Sequence, residues 1–323
     1  MSLLKPTRVS VIVLFVVAIH LPVRRAFAGA CCGGGLANVA LMTGDEKSRT
    51  LMSLNNRQAL WDISNRGEAT LRQDSGIEES QNQLTLEHSQ LIRDDFQWGV
   101  RIDGSQQNLQ LSQEKSLPRY GLGDLRLSLG YEFLSELEYS WWKPKGFLIL
   151  GAAIPLGKST HETWDPAEAT SEGHFTPTFG LVFFKANEFF DISWATEIQT
   201  PLEQTFRNTT DREWPVTTQV SGGTITQTTF ALGHTFQKIP VRLAGRISPL
   251  WRSARKIQQE GIDSETDIKR LTSLSIDLNW FFNDHQQLNF TFTDQTSLRN
   301  TLWASNTALS QFWSLAYVHR VNR

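Results

Sequence analysis

GLGDLRLSLGYEF, Gly121 to Phe133, is the stretch whose reading decides the fold. From Leu125 onward every second residue is apolar: Leu125, Leu127, Leu129, Tyr131 and Phe133. Arg126, Ser128, Gly130 and Glu132 lie between them. A period of two describes a strand with one apolar and one polar face. In a soluble sandwich the apolar face packs a core. In a membrane barrel it meets lipid, and the polar face meets a lumen.

The pattern recurs along the chain. Phe96, Trp98, Val100 and Ile102 alternate with Gln97, Gly99, Arg101 and Asp103. Phe190, Ile192, Trp194 and Ile198 alternate with Asp191, Ser193, Ala195 and Glu197. Val241, Leu243 and Ile247 alternate with Arg242, Ala244 and Arg246. Leu274, Ile276, Leu278, Trp280 and Phe282 alternate with Ser273, Ser275, Asp277 and Asn279. Leu288, Phe290 and Phe292 repeat the pattern, as do Trp313, Leu315 and Tyr317. Weaker runs at 48–58, 82–92, 146–156, 175–185 and 225–236 bring the expected total to about twelve strands. Each is near the ~9–11 residues that a membrane-spanning strand needs. Residues 146–156 (GFLILGAAIPL) are apolar on both faces, so only length and flanks identify that strand.

The connections alternate in length. Tight links are expected at Arg93-Asp94-Asp95, Ala186-Asn187-Glu188, Gln237–Pro240 and Asn283-Asp284-His285. A longer one at 134–145 carries Trp141 and Trp142. Long polar links are expected at about 59–81, 104–121, 157–174, 200–224, 252–270 and 299–308. Short periplasmic turns opposite long outer loops are the pattern of an outer-membrane barrel. A Greek-key sandwich has no reason to lengthen every second link. The apolar face agrees: about twelve strands close a barrel too wide for Phe, Trp and Leu to fill from within. The reading is therefore an all-β, transmembrane, antiparallel up-and-down barrel. Phe96, Trp98, Tyr131, Phe133, Trp194, Trp280, Phe290, Phe292, Trp313 and Tyr317 then face lipid. On this reading the glycines and Asp124 mark where a long outer loop re-enters the wall.

Composition bounds the rest. Formal net charge over 323 residues is −2, which does not suggest a nucleic-acid partner. The chain has 11 Trp and 19 Phe, a mix that suits both strands and interfacial girdles. Lys5 and Arg8 precede an apolar run, Val9 to Val23, and Ala26-Phe27-Ala28 supplies a small-residue cleavage site. That is the layout of a secretory signal peptide over 1–28. The run is shorter than the ~20 residues of a spanning helix. Residues 29–47 read as a flexible segment, and 48–323 as the barrel. Cys31 and Cys32 are adjacent and close no useful disulfide loop. Ala28-Gly29-Ala30-Cys31 loosely resembles a lipobox, which makes Cys31 a lipidation candidate; a flexible Gly-rich N-terminus is the plainer reading.

Two motifs carry a resemblance. Gly121-Leu122-Gly123-Asp124 resembles a turn of the outer-membrane transporters grouped as the phenol-degradation MetA-pathway family. Ile154-Pro155-Leu156-Gly157-Lys158 resembles that family's Leu-Pro-Thr-Gly-Lys, with Leu156 in place of Thr. The resemblance covers about residues 80–323. It implies an outer-membrane barrel that passes small solutes and has no catalytic residues. The C-terminus departs from the common barrel ending, an aromatic residue read by the insertion machinery. Here the chain ends His319-Arg320-Val321-Asn322-Arg323.

Chemistry beyond transport finds little support. His88-Ser89 lacks the Asn-Gly context of the outer-membrane phospholipases, and Asp284-His285 falls at the wrong end for an omptin-like protease. His161 and His174 flank a loop with Glu162, Asp165, Glu168 and Glu172, but the spacing matches no metal motif. No cofactor is expected. The candidate functional residues are the inward charges Arg101, Asp103, Arg126, Glu132, Asp191, Glu197, Arg242, Arg246 and Asp277. Such charges either line a pore or pair into a network that fills it. Arg252, Arg255 and Lys256 form a basic cluster, read either as a rim against lipid headgroups and glycolipid phosphates or as a solvated loop. Three functions follow: a channel for an unidentified small solute, a structural or adhesive barrel, or a soluble all-β binding protein.

Overall fold

The computed structural model describes residues 41–42, 46–111, 118–135, 142–163, 168–187, 190–208, 216–300 and 302–322. The expected signal peptide and Cys31 lie outside them. The wall comprises β1 (Glu46–Ile63), β3 (Ile77–Leu91), β4 (Phe96–Leu111), β5 (Arg119–Leu134), β6 (Lys145–Pro155) and β7 (Thr176–Ala186). It continues through β8 (Phe190–Gln199), β11 (Ile225–Thr235), β12 (Val241–Arg252), β15 (Lys269–Phe281), β16 (Gln286–Asp294) and β17 (Thr307–Asn322). Each pairs antiparallel with its neighbours in sequence order, and β17 pairs back onto β1 from Glu46↔Asn322 to Ile63↔Thr307. The result is a closed antiparallel barrel of 12 strands with no free edge. The shorter β2 (Ala69–Leu71) pairs with β1. A separate sheet of β9 (Gln204–Asn208), β10 (Val216–Gly222), β13 (Arg255–Gln259) and β14 (Ile262–Glu265) stands at the rim.

Expected and observed strands coincide one for one, but their ends do not. β1 has 18 residues and β3, β4 and β5 have 15 or 16, well beyond the expected span. The residues added to β3 and β4 are mostly polar and carry no sustained alternation, so periodicity could not find them, whereas β1 gains the largely apolar run Ala59 to Ile63. An amide ladder ties the added part of β4 to the expected runs of β1 and β3: Asn56 donates to Asn82 at 2.7 Å, and Asn82 to Gln106 at 3.4 Å. The link expected at 104–121 therefore shrinks to 112–118.

The opening stretch needs the same correction. β5 already runs from Arg119, so Gly121–Asp124 is wall and not the point of re-entry. The register shifts opposite Asp103: Ile102 pairs with Leu125 but Gly104 with Leu122. This bulge keeps both Leu122 and Leu125 on the outer face while Asp124 is buried inward.

The rim sheet, too, carries no period-two signal. β10 and β13 prolong the pairing of β11 with β12 beyond a kink at Gly222 and Gly223, whose φ values of 79° and 83° disfavour any other residue.

The two faces of the wall differ as expected. Leu54, Leu127, Leu129, Phe179, Leu232, Ile276 and Phe290 are exposed on the outside. Aromatic side chains gather toward the short-turn end: Phe96 stacks on Tyr131 at 4.7 Å, Phe133 meets Phe183 edge-on, and Trp280 stacks with Phe282. Of the ten aromatics expected outside, Trp98 and Trp280 are partly covered and the other eight are exposed.

Candidate functional site: the barrel interior

The interior is polar along most of its height. Thr85, Ser89, Asp103, Thr178, Glu197, Thr229, Ser248, Ser275, Asn279 and Thr293 alternate inward and are buried. The charges among them pair. Arg242 donates from Nε and Nη2 to the two oxygens of Asp191, at 2.8 and 2.5 Å. Both side chains are about 5% exposed (4% and 6%). This bridge joins β12 to β8 across β11, where Gly233 lies directly opposite Asp191. A Cβ on Gly233 would come within 2.4 Å of Arg242 Nη2 and 2.7 Å of Asp191 Oδ2, so the bridge needs a glycine beneath it.

Further along, Arg246 Nη2 donates to Asp277 Oδ1 at 2.9 Å, and Thr291 donates to the same oxygen at 2.7 Å. Arg101 Nε and Thr85 Oγ1 share Asp103 Oδ1, at 3.0 and 2.7 Å. Gln199 hydrogen-bonds Glu197 Oε1 at 2.5 Å. Arg126 and Glu132 are inward and half-buried. The nine expected inward charges thus share one side of the wall. Six form three direct pairs: Arg242–Asp191, Arg246–Asp277 and Arg101–Asp103.

The short-turn end is different. Leu41 sits in an apolar cluster with Phe147, Ile149, Val182 and Ala195, inward residues of β6, β7 and β8. The backbone N–H of Met42 donates to Gln97 Oε1 at 2.8 Å, and Gln97 Nε2 returns to the Met42 carbonyl at 3.3 Å. Arg49 holds the Leu41 carbonyl. Arg49 and Arg320 also flank Glu46, and Arg320 Nε lies 3.1 Å from Glu46 Oε1. Leu41 and Met42, near the end of the segment read as flexible, therefore pack inside the barrel. This explains why 146–156 is apolar on both faces. Its outer residues face away from the barrel, and Phe147 and Ile149 cover Leu41.

At the long-loop end the described parts of the link, 156–163 and 168–175, fold inward. Thr170 Oγ1 donates to the Leu122 carbonyl, and Ser171 Oγ to Asp124. Phe206 of β9 packs against the link, with its ring centroid 5.3 Å from that of His161 and 5.2 Å from that of His174. Glu172 reaches Arg252 Nη2 at 2.8 Å and Arg255 Nη2 at 2.6 Å. Burial alone would raise the Glu172 pKa, but the two guanidinium groups override it and bring it down to about 2. Within the basic cluster, Arg252 and Arg255 turn onto a carboxylate, and Lys256 stays exposed. A cavity of about 190 Å³ lies beneath, lined by wall residues from β5 to β12 together with Glu172 and Arg255.

The chemistry weighed against transport is scattered by the fold. His88 is on the outer face with Nδ1 2.9 Å from Thr50 Oγ1, while Ser89 is buried inward. His174 Nδ1 pairs with the Leu202 carbonyl at 2.9 Å, and Glu168 lies 3.5 Å from Lys158. Among the described residues no three ligands gather for a metal.

No family model matches the chain, and no curated protein does. Among solved structures, the chain is similar to the COG4313 outer membrane channel from Pseudomonas putida F1. The TM-score is 0.66 at 12% identity, over 90% of this chain and 99% of that one. The beta domain of the Bordetella autotransporter BrkA and a TodX monoaromatic hydrocarbon channel variant align with TM-scores of only 0.44 and 0.42, at 10% and 8% identity. The alignment with the Pseudomonas channel runs nearly end to end on both chains, so the two share one fold, which in this chain is a closed twelve-stranded antiparallel barrel.

Proposed function

We propose that this protein is an outer-membrane channel that admits small solutes through the barrel interior. One observation carries the reading: the barrel is apolar outside and polar within. Leu127 and Leu129 are exposed on the same strand that turns Asp124 and Arg126 inward. A water-soluble barrel would have the opposite arrangement. A lipid bilayer accepts the exposed band and requires a closed sheet whose backbone groups are all paired. The fold shared with the Pseudomonas outer membrane channel and the motifs resembling the phenol-degradation transporters point the same way. On this reading the inward charges line or fill the lumen, the outer aromatics meet lipid, and the long links face the cell exterior.

Two measurements test it. The purified protein should need detergent and migrate differently on gels before and after heating. In a planar bilayer it should give discrete conductance steps. A species that dissolves without detergent removes the channel reading, and silence over many insertions favours a structural or adhesive barrel.

A further inference from the structure

The channel reading leaves the solute undefined, but the long-loop end holds a site with the chemistry to choose one. Glu172 is carried by an inward-folded link, and its side chain stays about half exposed (48%). The two arginines are held more firmly, at 19% and 14%. Arg252 is the last residue of β12. Arg255 opens β13, and its stem lies flat over Gly223, where a Cβ would meet Arg255 Cγ and Nε at 2.5 Å. Arg255 Nε is buried and makes no hydrogen bond among the described residues. The pair is thus a preorganised fork with a donor to spare, and its present ligand is a carboxylate on a loop. Planar guanidinium groups recognise carboxylates by parallel charge-assisted hydrogen bonds.

The cavity beside this fork extends the argument. Its apolar wall includes Ala153, Ile225 and Leu250, and Arg126 adds a third guanidinium group. Asp124 also lines it, tied to Ser171. With Glu172 lifted away, three cationic groups would face one carboxylate. The volume of about 190 Å³ is far above the ~10–15 Å³ that one water needs, so a solute of several heavy atoms fits.

We propose that Arg252 and Arg255 form a carboxylate-recognition site of the channel, that Glu172 occupies it as a tethered stand-in, and that the solute is a small organic monocarboxylate with an apolar body. This rests on the channel reading. The solute exchanges with Glu172 on the fork while its apolar part lies against Ala153, Ile225 and Leu250. A tethered competitor acts at an effective concentration of about millimolar. The wild-type site should therefore bind weakly and release readily, as passage requires.

Benzoate is the probe, with benzamide as its neutral isostere, titrated calorimetrically into detergent-purified barrel. Glu172→Gln should bind benzoate at least tenfold more tightly than the wild type, and neither should bind benzamide. The triple variant E172Q/R252Q/R255Q should lose benzoate binding while keeping heat-modifiable migration. Equal benzoate binding by the single and triple variants, or equal binding of benzamide, overturns the proposal. A second measurement does not depend on the Glu172 variant folding. In bilayers, the permeability of wild-type barrel to benzoate relative to chloride should fall at least threefold in Arg252→Gln; no change overturns the site. Benzoate binding without conductance would remove the channel reading and keep the site. Conductance without benzoate discrimination would do the reverse.

Discussion

Removing one partner of the Arg242–Asp191 bridge would tell whether the short-turn end of the barrel is dry. Each side chain is about 5% exposed (4% and 6%), and two hydrogen bonds join them. In Arg242→Met the Asp191 carboxyl keeps its burial but loses its bidentate partner. Breaking a buried pair this way costs about 3–5 kcal/mol, or two to three and a half decades in the unfolding constant at ~1.4 kcal/mol per decade. Asp191→Asn should cost a comparable amount, because it removes the carboxylate that Arg242 grips with two hydrogen bonds. The double variant removes both charges, so its cost should fall well below the sum, by ~2 kcal/mol or more of coupling. Urea unfolding in liposomes, followed by tryptophan fluorescence, gives all three values. If each single variant costs less than ~1 kcal/mol, the range of a solvated pair, water reaches the bridge. The account of a packed, occluded short-turn end would then be wrong.

Three more outcomes follow. Gly233→Ala should weaken the same bridge without touching either charge, and its cost should vanish in the Asp191→Asn/Arg242→Met background. Gln97→Ala should raise single-channel conductance by freeing Leu41 and Met42 from the interior; unchanged conductance would mean that they do not obstruct it. Acid should loosen the inward loop in two stages. Burial lowers the pKa of His161, and the neighbouring His174 lowers it further. Burial likewise lowers that of His174, with Arg255 acting in the same direction and Glu172 against it. A depressed histidine favours the docked loop above its ordinary value of 6.5 and withdraws that support as pH falls below it. The Glu172 latch keeps its contribution down to about its ordinary value of 4.5 and loses it as pH falls toward 2. Proteolysis of residues 156–175 should therefore rise first below pH 6.5 and again below 4.5; one step near 4.5 alone would remove the histidines from the account.

Most of the twelve strands were legible because two solvents impose a period of two on them. Leu125 to Phe133 shows it plainly. Strand ends were not legible, because residues such as Ser80, Gln81, Gln107 and Asn108 extend the wall through backbone pairing with no apolar rhythm. The bulge at Gly123–Asp124 leaves only a glycine as its mark, which reads equally well as a turn. Residues 146–156 broke the alternation for a tertiary reason: their second apolar face covers Leu41, a residue far away in the chain. The arginine fork was visible as a basic cluster, but its carboxylate lies 80 residues from Arg252, and no local pattern could pair them.

The central claim is that the outer face of the barrel meets lipid. It is tested most directly by placing one cysteine at a time from Leu125 to Phe133, in a background lacking Cys31 and Cys32. Each cysteine carries a small fluorophore in liposomes containing brominated lipid. Quenching should be strong at Leu125, Leu127, Leu129, Tyr131 and Phe133, and weak at Arg126, Ser128, Gly130 and Glu132. Uniform quenching, or alternation of the opposite phase, would contradict the account.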